Sequence, residues 1–247
     1  MQYISYTIMS LLAVLCGQVI AHLNKKMPPV VAEEITYKEF FSTLFKDFKI
    51  DIKYTLICLI LFNSFVYFIG TGVTTYLYVI ISVALFIAFS IDYRYQLIPD
   101  ETHGIILIAG IINFFLNLNL WWNYLLGALI GAGIFYGLGL LSLLIFKKEG
   151  MGFGDVKLMG ALGFMFGIKY TLVITLVSFF LGAIIGGTLL IIKKKDVDGY
   201  IPFGPFIVIA TIMLMFIEAD YIIEIYIAFC SWLGMKMADV VYLFLPK

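Results

Sequence analysis

The sequence predicts an all-α fold, a polytopic transmembrane helical bundle of about eight spans with a short amphipathic segment after the first. Three observations predict it. Of 247 residues, 63% are hydrophobic and 13% charged, with a mean hydropathy of +1.05, whereas soluble domains carry about half apolar and about a quarter charged residues. Apolar runs near the ~20 residues needed to cross a bilayer recur along the chain. Lysines gather in alternate loops, as cytoplasmic loops do. The formal net charge of zero says nothing about nucleic acid, but there is no basic domain and no nucleic-acid partner is expected. The partner that the composition demands is the lipid bilayer, and residues 1–247 read as one integral membrane domain.

In order, Tyr3 to Leu23 is the first span. No Lys or Arg precedes it and no small-residue cleavage pattern follows, so it is expected to stay as a helix rather than leave as a signal peptide. Residues 24–52 are the longest polar interval. Within it Tyr37, Phe40, Phe41, Leu44, Phe45 and Phe48 recur at three- and four-residue steps, the pattern of an amphipathic helix at the cytoplasmic membrane surface. A solvated linker helix and a substrate-contacting one fit that pattern equally.

Tyr54 to Ile69 spans next, followed by a tight turn at Gly70-Thr71-Gly72 and a third span from Thr75 to Ile91. Asp92 to His103 is expected as a short polar loop, and Gly104 to Leu118 as the fourth span. Asn119 to Asn123, with Trp121 and Trp122, resembles an interfacial aromatic belt. Tyr124 to Phe146 is the fifth span, with Gly127 and Gly131 at the spacing of close helix packing.

Val156 to Gly167 is apolar but short. It crosses only if the glycine-rich residues before it also lie at membrane depth, which non-helical backbone tolerates where protein or water covers it. Thr171 to Ile192 and Pro202 to Ile217 complete the count. Residues 219–247 are apolar but interrupted by Asp220, Glu224, Lys236 and Asp239, and fit an extra span or an interfacial helix.

With the N-terminus outside, all 16 Lys and Arg residues except Lys169, Lys236 and Lys247 fall on the inner side. That bias places three segments together at the cytoplasmic face of a cell membrane: the one with Asp92, the one with Asp155, and Ile201-Pro-Phe-Gly-Pro205.

A charge in or beside lipid is expensive and is retained when it lines a cavity, pairs or does chemistry. Asp155 follows Gly150, Gly152 and Gly154 and precedes an apolar run. Gly152 and Gly154 are expected to adopt φ values closed to other residues and to let a substrate backbone approach. A plain turn ending in an Asp N-cap is the structural alternative. Brought together, Asp92 and Asp155 cannot easily both ionise, so one carboxyl keeps a proton while the other acts as a base. Such a pair activates water against a peptide carbonyl and protonates the leaving amine.

His22 and His103 are expected as structural, helix-end residues. Cys16, Cys58 and Cys230, without CxxC spacing, are expected as buried core residues, and no metal site is indicated. Lys157 faces the cytoplasm or helps hold Asp155 ionised. Asp100 either caps the fourth helix or contacts substrate. Glu149 either meets a basic substrate segment or neutralises Lys147 and Lys148. Asp196 and Asp198 read as solvated loop charges.

The motifs are specific in combination. Ile91-Asp92 through Ile98-Pro99-Asp100, then Gly152-Phe-Gly-Asp155-Val-Lys157-Leu, then Ile201-Pro202-Phe-Gly204-Pro-Phe206 resemble, in order and separation, those of the type IV prepilin peptidase family. These are the Gly-x-Gly-Asp intramembrane aspartic proteases, and the resemblance covers residues 1–217. It implies Asp92 and Asp155 as the catalytic pair, shaped by Gly152, Gly154, Lys157, Pro202 and Gly204. It also implies cleavage of the basic leader of type IV pilin-like precursors at the cytoplasmic face, without cofactor or metal. Many bacterial members carry two CxxC pairs after the first helix, and some methylate the new N-terminus using S-adenosylmethionine. Asn24 to Lys53 has no cysteine, which leaves the peptidase expectation intact and removes support for methyl transfer.

Two rival classes accommodate intramembrane carboxylates. A small ion-coupled transporter would bind ions or protons with them, but no inverted repeat is visible and the acids cluster at one face rather than the midplane. A catalytically dead scaffold would not need both acids with their glycines.

Overall fold

A computed structural model describes residues 2–31, 51–147, 150–192 and 202–244. These residues are helical apart from turns, with no strand among them. The amphipathic pattern from Tyr37 to Phe48, Glu149, and the loop with Asp196 and Asp198 lie outside them.

Helix α1 (Gln2–Val31) runs past the expected end at Leu23 and packs along α2 (Ile52–Ile69). Gly17 permits the approach, because a Cβ there would sit 2.6 Å from the Thr55 Cα. Beside it the Gln18 amide donates to the Thr55 hydroxyl (2.6 Å) and accepts from the Asp51 backbone N–H (3.0 Å). Asp51 in turn caps α2 by accepting from the Lys53 N–H at 3.0 Å. A buried amide satisfied on both sides pins the two helices in one register.

Gly70, at φ 90°, makes the expected turn into α3 (Val73–Tyr95). Leu77, Ile81, Ala84, Leu85, Ala88, Ile91 and Asp92 are all buried, and their three- and four-residue steps make this helix the centre of the bundle. Helix α4 (Asp100–Leu116) and a 3-10 turn at Leu118–Leu120 lead to α5 (Trp121–Phe146).

Helix α6 (Phe153–Ile192) is interrupted at Gly167 (φ 78°, ψ 178°). Its contacts with α5 show that the chain reverses there. Before Gly167 the pairing is antiparallel: Gly127 lies against Gly163, Gly131 against Met159 and Gly139 against Met151. After it the pairing is parallel: Asn123 binds Ile168, Gly131 meets Thr171, and the Phe135 ring lies 5.6 Å from Phe179. The expected close packing of Gly127 and Gly131 is borne out, since an added Cβ would meet Gly167 carbonyl carbon at 2.7 Å or the Met159 carbonyl oxygen at 2.5 Å. Gly133 and Gly137, on other faces, have nothing within 4 Å.

Helix α7 (Gly204–Leu214) is buried along most of its length, and α8 (Ala219–Phe244) turns away from it by 109°. Among the described residues, five helices are long and apolar enough to cross a membrane, or six if the α7–α8 pair is one broken span. The chain is therefore a multi-pass membrane protein. The count of about eight is not confirmed: α4 has 17 residues, and the expected sixth and seventh spans are the two arms of α6, which meet at Gly167. The first arm, residues 153–166, is ~21 Å long at 1.5 Å per residue, against a hydrocarbon core of ~30 Å.

Candidate active site

Asp92 was expected in a loop, but α3 continues through Tyr95 and carries it in the last turn. The helix ends because Gln96 takes the left-handed conformation (φ 56°, ψ 36°), its N–H closing on the Asp92 carbonyl at 2.9 Å. Pro99 then disfavours helical backbone at the preceding Ile98. The consequence is burial: Asp92 is only 5% exposed. Asp155 lies in the first turn of α6, its N–H donating to the Gly152 carbonyl at 3.1 Å, and is 4% exposed. An exposed N-cap, the structural alternative, is not what is seen.

The two acids line one cavity of about 290 Å³ with Gln96, Ile98, Gly152 and Lys157. Asp92 Oδ2 and Asp155 Oδ1 accept no hydrogen bond from any described residue. Buried carboxylate oxygens are rarely left so, because each unmet group costs about 1–3 kcal/mol.

Three backbone segments hold the pair. Ile98 wedges between the starts of α6 and α7, so a Cβ on Gly154 would lie 3.2 Å from its Cβ, and one on Gly204 3.1 Å from its Cδ1. Gly204 also lies directly against the Asp92 carboxylate. The amino ends of α6 and α7, carrying the partial positive charge of helix N-termini, thus converge on the acids. Neither Gly152 nor Gly154 has positive φ, contrary to expectation. Gly154 is small because Ile98 occupies the space, and Gly152 opens the cavity wall.

Lys157 does not serve Asp155. Its ammonium donates to both Asp100 oxygens, at 2.8 and 3.0 Å. Asp100 is the first residue of α4, with Pro99 at the cap position, so it ties α4 to α6 rather than capping. The Lys157 hydrogen bond holds this exposed carboxyl below the usual carboxylate range. His103 is a neighbour that sequence reasoning missed: it is buried, with Nδ1 3.4 Å from Asp100 Oδ1. Its three-residue step from Asp100 was the available signal. Pro202 is half-buried just before α7. Cys58 is buried as expected, whereas Cys230 is exposed on α8.

Chemically, the arrangement offers two carboxyl groups, able to give and take protons, around a space large enough for several waters or a stretch of extended peptide. Residues 78–187 match the model of the type IV leader peptidase family. The chain is 34% identical over 177 residues to the prepilin leader peptidase/N-methyltransferase of Xanthomonas campestris pv. campestris, covering 70% of this chain and 62% of that protein. It is 39% identical over 143 residues to the protein of that name from Legionella pneumophila, covering 56% and 48%. To its counterpart in Pseudomonas aeruginosa it is 32% identical over 146 residues, covering 58% and 49%. The chain thus spans about half to three fifths of the length of these curated relatives. No solved structure matches. Gly204 lies beyond the family-matched residues, but Asp92, Asp100, Asp155 and Lys157 lie within them. This stretch, which carries both buried aspartates, matches the type IV leader peptidase family.

Proposed function

We propose that the protein is an aspartic endopeptidase of the cell membrane that removes the N-terminal leader of type IV prepilin-like precursors at the cytoplasmic face. The observation that carries this reading is that Asp92 and Asp155 are both buried and both line one cavity, delivered there by helices far apart in the chain.

In the proposed reaction the pair holds one proton. The ionised carboxylate takes a proton from a water molecule as its oxygen attacks the peptide carbonyl carbon. The protonated carboxyl gives its proton to the carbonyl oxygen, yielding a neutral gem-diol. Collapse breaks the C–N bond. The leaving nitrogen takes a proton from the newly protonated aspartate, and a gem-diol hydroxyl returns one to the other. Each residue exchanges its proton state within one cycle, so the pair titrates as a unit. The non-helical segment 96–99 and Gly152 form the wall along which a substrate backbone would lie.

Only the peptidase step is assigned. The relatives are also named N-methyltransferases, but residues 24–53 of this chain contain no cysteine, so nothing here supports the second step. The test is incubation of the purified protein with a prepilin precursor, followed by mass measurement of the product. The expected product lacks the leader and carries no added methyl group. An intact precursor would overturn the assignment, provided that the enzyme is shown to be folded by a cooperative thermal transition.

A further inference from the structure

Helix α8 leaves the bundle at the end opposite the aspartates. Ala219 is buried there, and Asp220 forms an ion pair with Lys169, just past the Gly167 reversal. Phe216, in the turn before it, stacks on Phe65 at 4.8 Å and meets Phe68 edge-on, near the far end of α2. Beyond Ile223, every residue from Glu224 to Leu233 is exposed.

Its exposed surface is mostly apolar, with one narrow polar stripe. Tyr221, Ile225, Phe229 and Trp232 follow helical steps along one side, and the Phe229 and Trp232 rings stack at 6.3 Å. Asp220, Glu224 and Ser231 follow the same steps about a third of a turn away. A helix returning through the bilayer would run antiparallel to α7 and pack along the bundle. Instead, α8 turns by 109°, within about 20° of perpendicular to a helix that rises through the bundle.

We propose that α8 lies in the membrane–water interface at the end of the bundle opposite the aspartates. There its aromatic side rests on lipid and its acidic side faces water, with the Lys169–Asp220 pair anchoring it. Aromatic residues favour that depth, and an amphipathic helix lies with its apolar face ~5–10 Å into the boundary. Lipid is the occupant because α8 follows α7 directly in a bundle of membrane-spanning helices and exposes large apolar side chains. The helix carries a single basic residue, Lys236, and scarcity of Lys and Arg is expected of a non-cytoplasmic surface. The placement does not depend on the proposed cleavage.

The test uses the full chain in phosphatidylcholine vesicles, with Cys16, Cys58 and Cys230 replaced by alanine. Single nitroxide labels follow Ile225→Cys, Trp232→Cys, Glu224→Cys or Ser231→Cys. Labels at 225 and 232 are expected at one shallow depth, shielded from a water-soluble nickel chelate, with 224 and 231 open to it. A depth difference of ~10 Å between 225 and 232, the axial rise over seven residues, would mean a spanning helix and overturn the proposal. Dipolar broadening between 232 labels, with both sides shielded from oxygen and nickel, would mean a second copy covers the helix and would also overturn it. A chain left with its native cysteines and Trp232 as the sole tryptophan (Trp121→Phe, Trp122→Phe) gives an independent reading. Its fluorescence is expected to be quenched most by lipids brominated near the headgroup, and strongest quenching by deep bromines would overturn the placement.

Discussion

The carboxylate of Asp92 rests against the backbone of Gly204, so closely that a Cβ at 204 would lie 2.5 Å from Oδ2 and 3.1 Å from Cγ. Two residues more than a hundred positions apart thus form one wall of the candidate site. Gly204→Ala is expected to push Asp92 off its position and reduce leader cleavage at least tenfold. Overpacking of this kind costs about 1–3 kcal/mol, so the thermal midpoint should also fall, and cleavage rate and melting curve on the same preparation check both.

Asp92→Asn and Asp155→Asn are each expected to reduce cleavage ~10²–10⁴-fold, the range for loss of a positioned acid or base. Neither should lower the thermal midpoint, because an amide replaces a buried carboxyl oxygen that has no donor. Precursor processing measured with thermal unfolding distinguishes lost chemistry from lost fold. A variant that retains near-normal turnover would remove that residue from the reaction.

The Lys157–Asp100 pair is exposed on both sides, so its contribution to stability is expected at about 1 kcal/mol or less. Its larger effect is on the segment between Gln96 and Pro99. Lys157→Met and Asp100→Asn should each weaken cleavage several-fold, and the double variant little more than either alone. Additive losses in that cycle would show that the two act separately.

The same pair predicts a pH dependence. The folded pKa of Asp100 is lowered, so its stabilisation is fully present above the ordinary Asp value of ~3.9. It is lost as pH falls through the lower folded value. Between pH 5 and 8 the stability difference between wild type and Asp100→Asn should therefore be flat, narrowing only in more acid solution. Denaturation midpoints across that range check it.

Gly163→Ala places a Cβ 2.6 Å from the Gly127 carbonyl carbon, whereas Gly133→Ala and Gly137→Ala enter open space. The first is expected to destabilise severely, since backbone cannot step aside as a side chain can. The other two should be neutral or stabilise by up to about 1 kcal/mol through helix propensity. Asn123→Ala removes the acceptor for the Ile168 N–H (3.1 Å), which acts as the N-cap of the second arm, and should cost ~1 kcal/mol. Melting of all four in one detergent ranks them.

Much of this was legible in the chain alone. Apolar run length and lysine distribution are local, additive properties, and they identified the helices and the turn at Gly70. The spacing of Gly127 and Gly131 announced a tight helix contact, because small residues one turn apart have few other uses in lipid. The pairing of Asp92 with Asp155 came from motif resemblance, not from anything that local physics could dictate.

What the sequence determined by itself is a set of apolar helices and the residues that lipid would not tolerate without a reason. Tertiary structure decided which of those residues meet. Lys157 turned to Asp100 instead of Asp155, Gly154 made room for Ile98 instead of adopting an unusual φ, Gly167 reversed the chain, and α8 swung away from α7. Each outcome depends on the direction in which a side chain or helix end points after packing. That direction is set jointly by segments dozens of residues apart, so no window along the chain contains it.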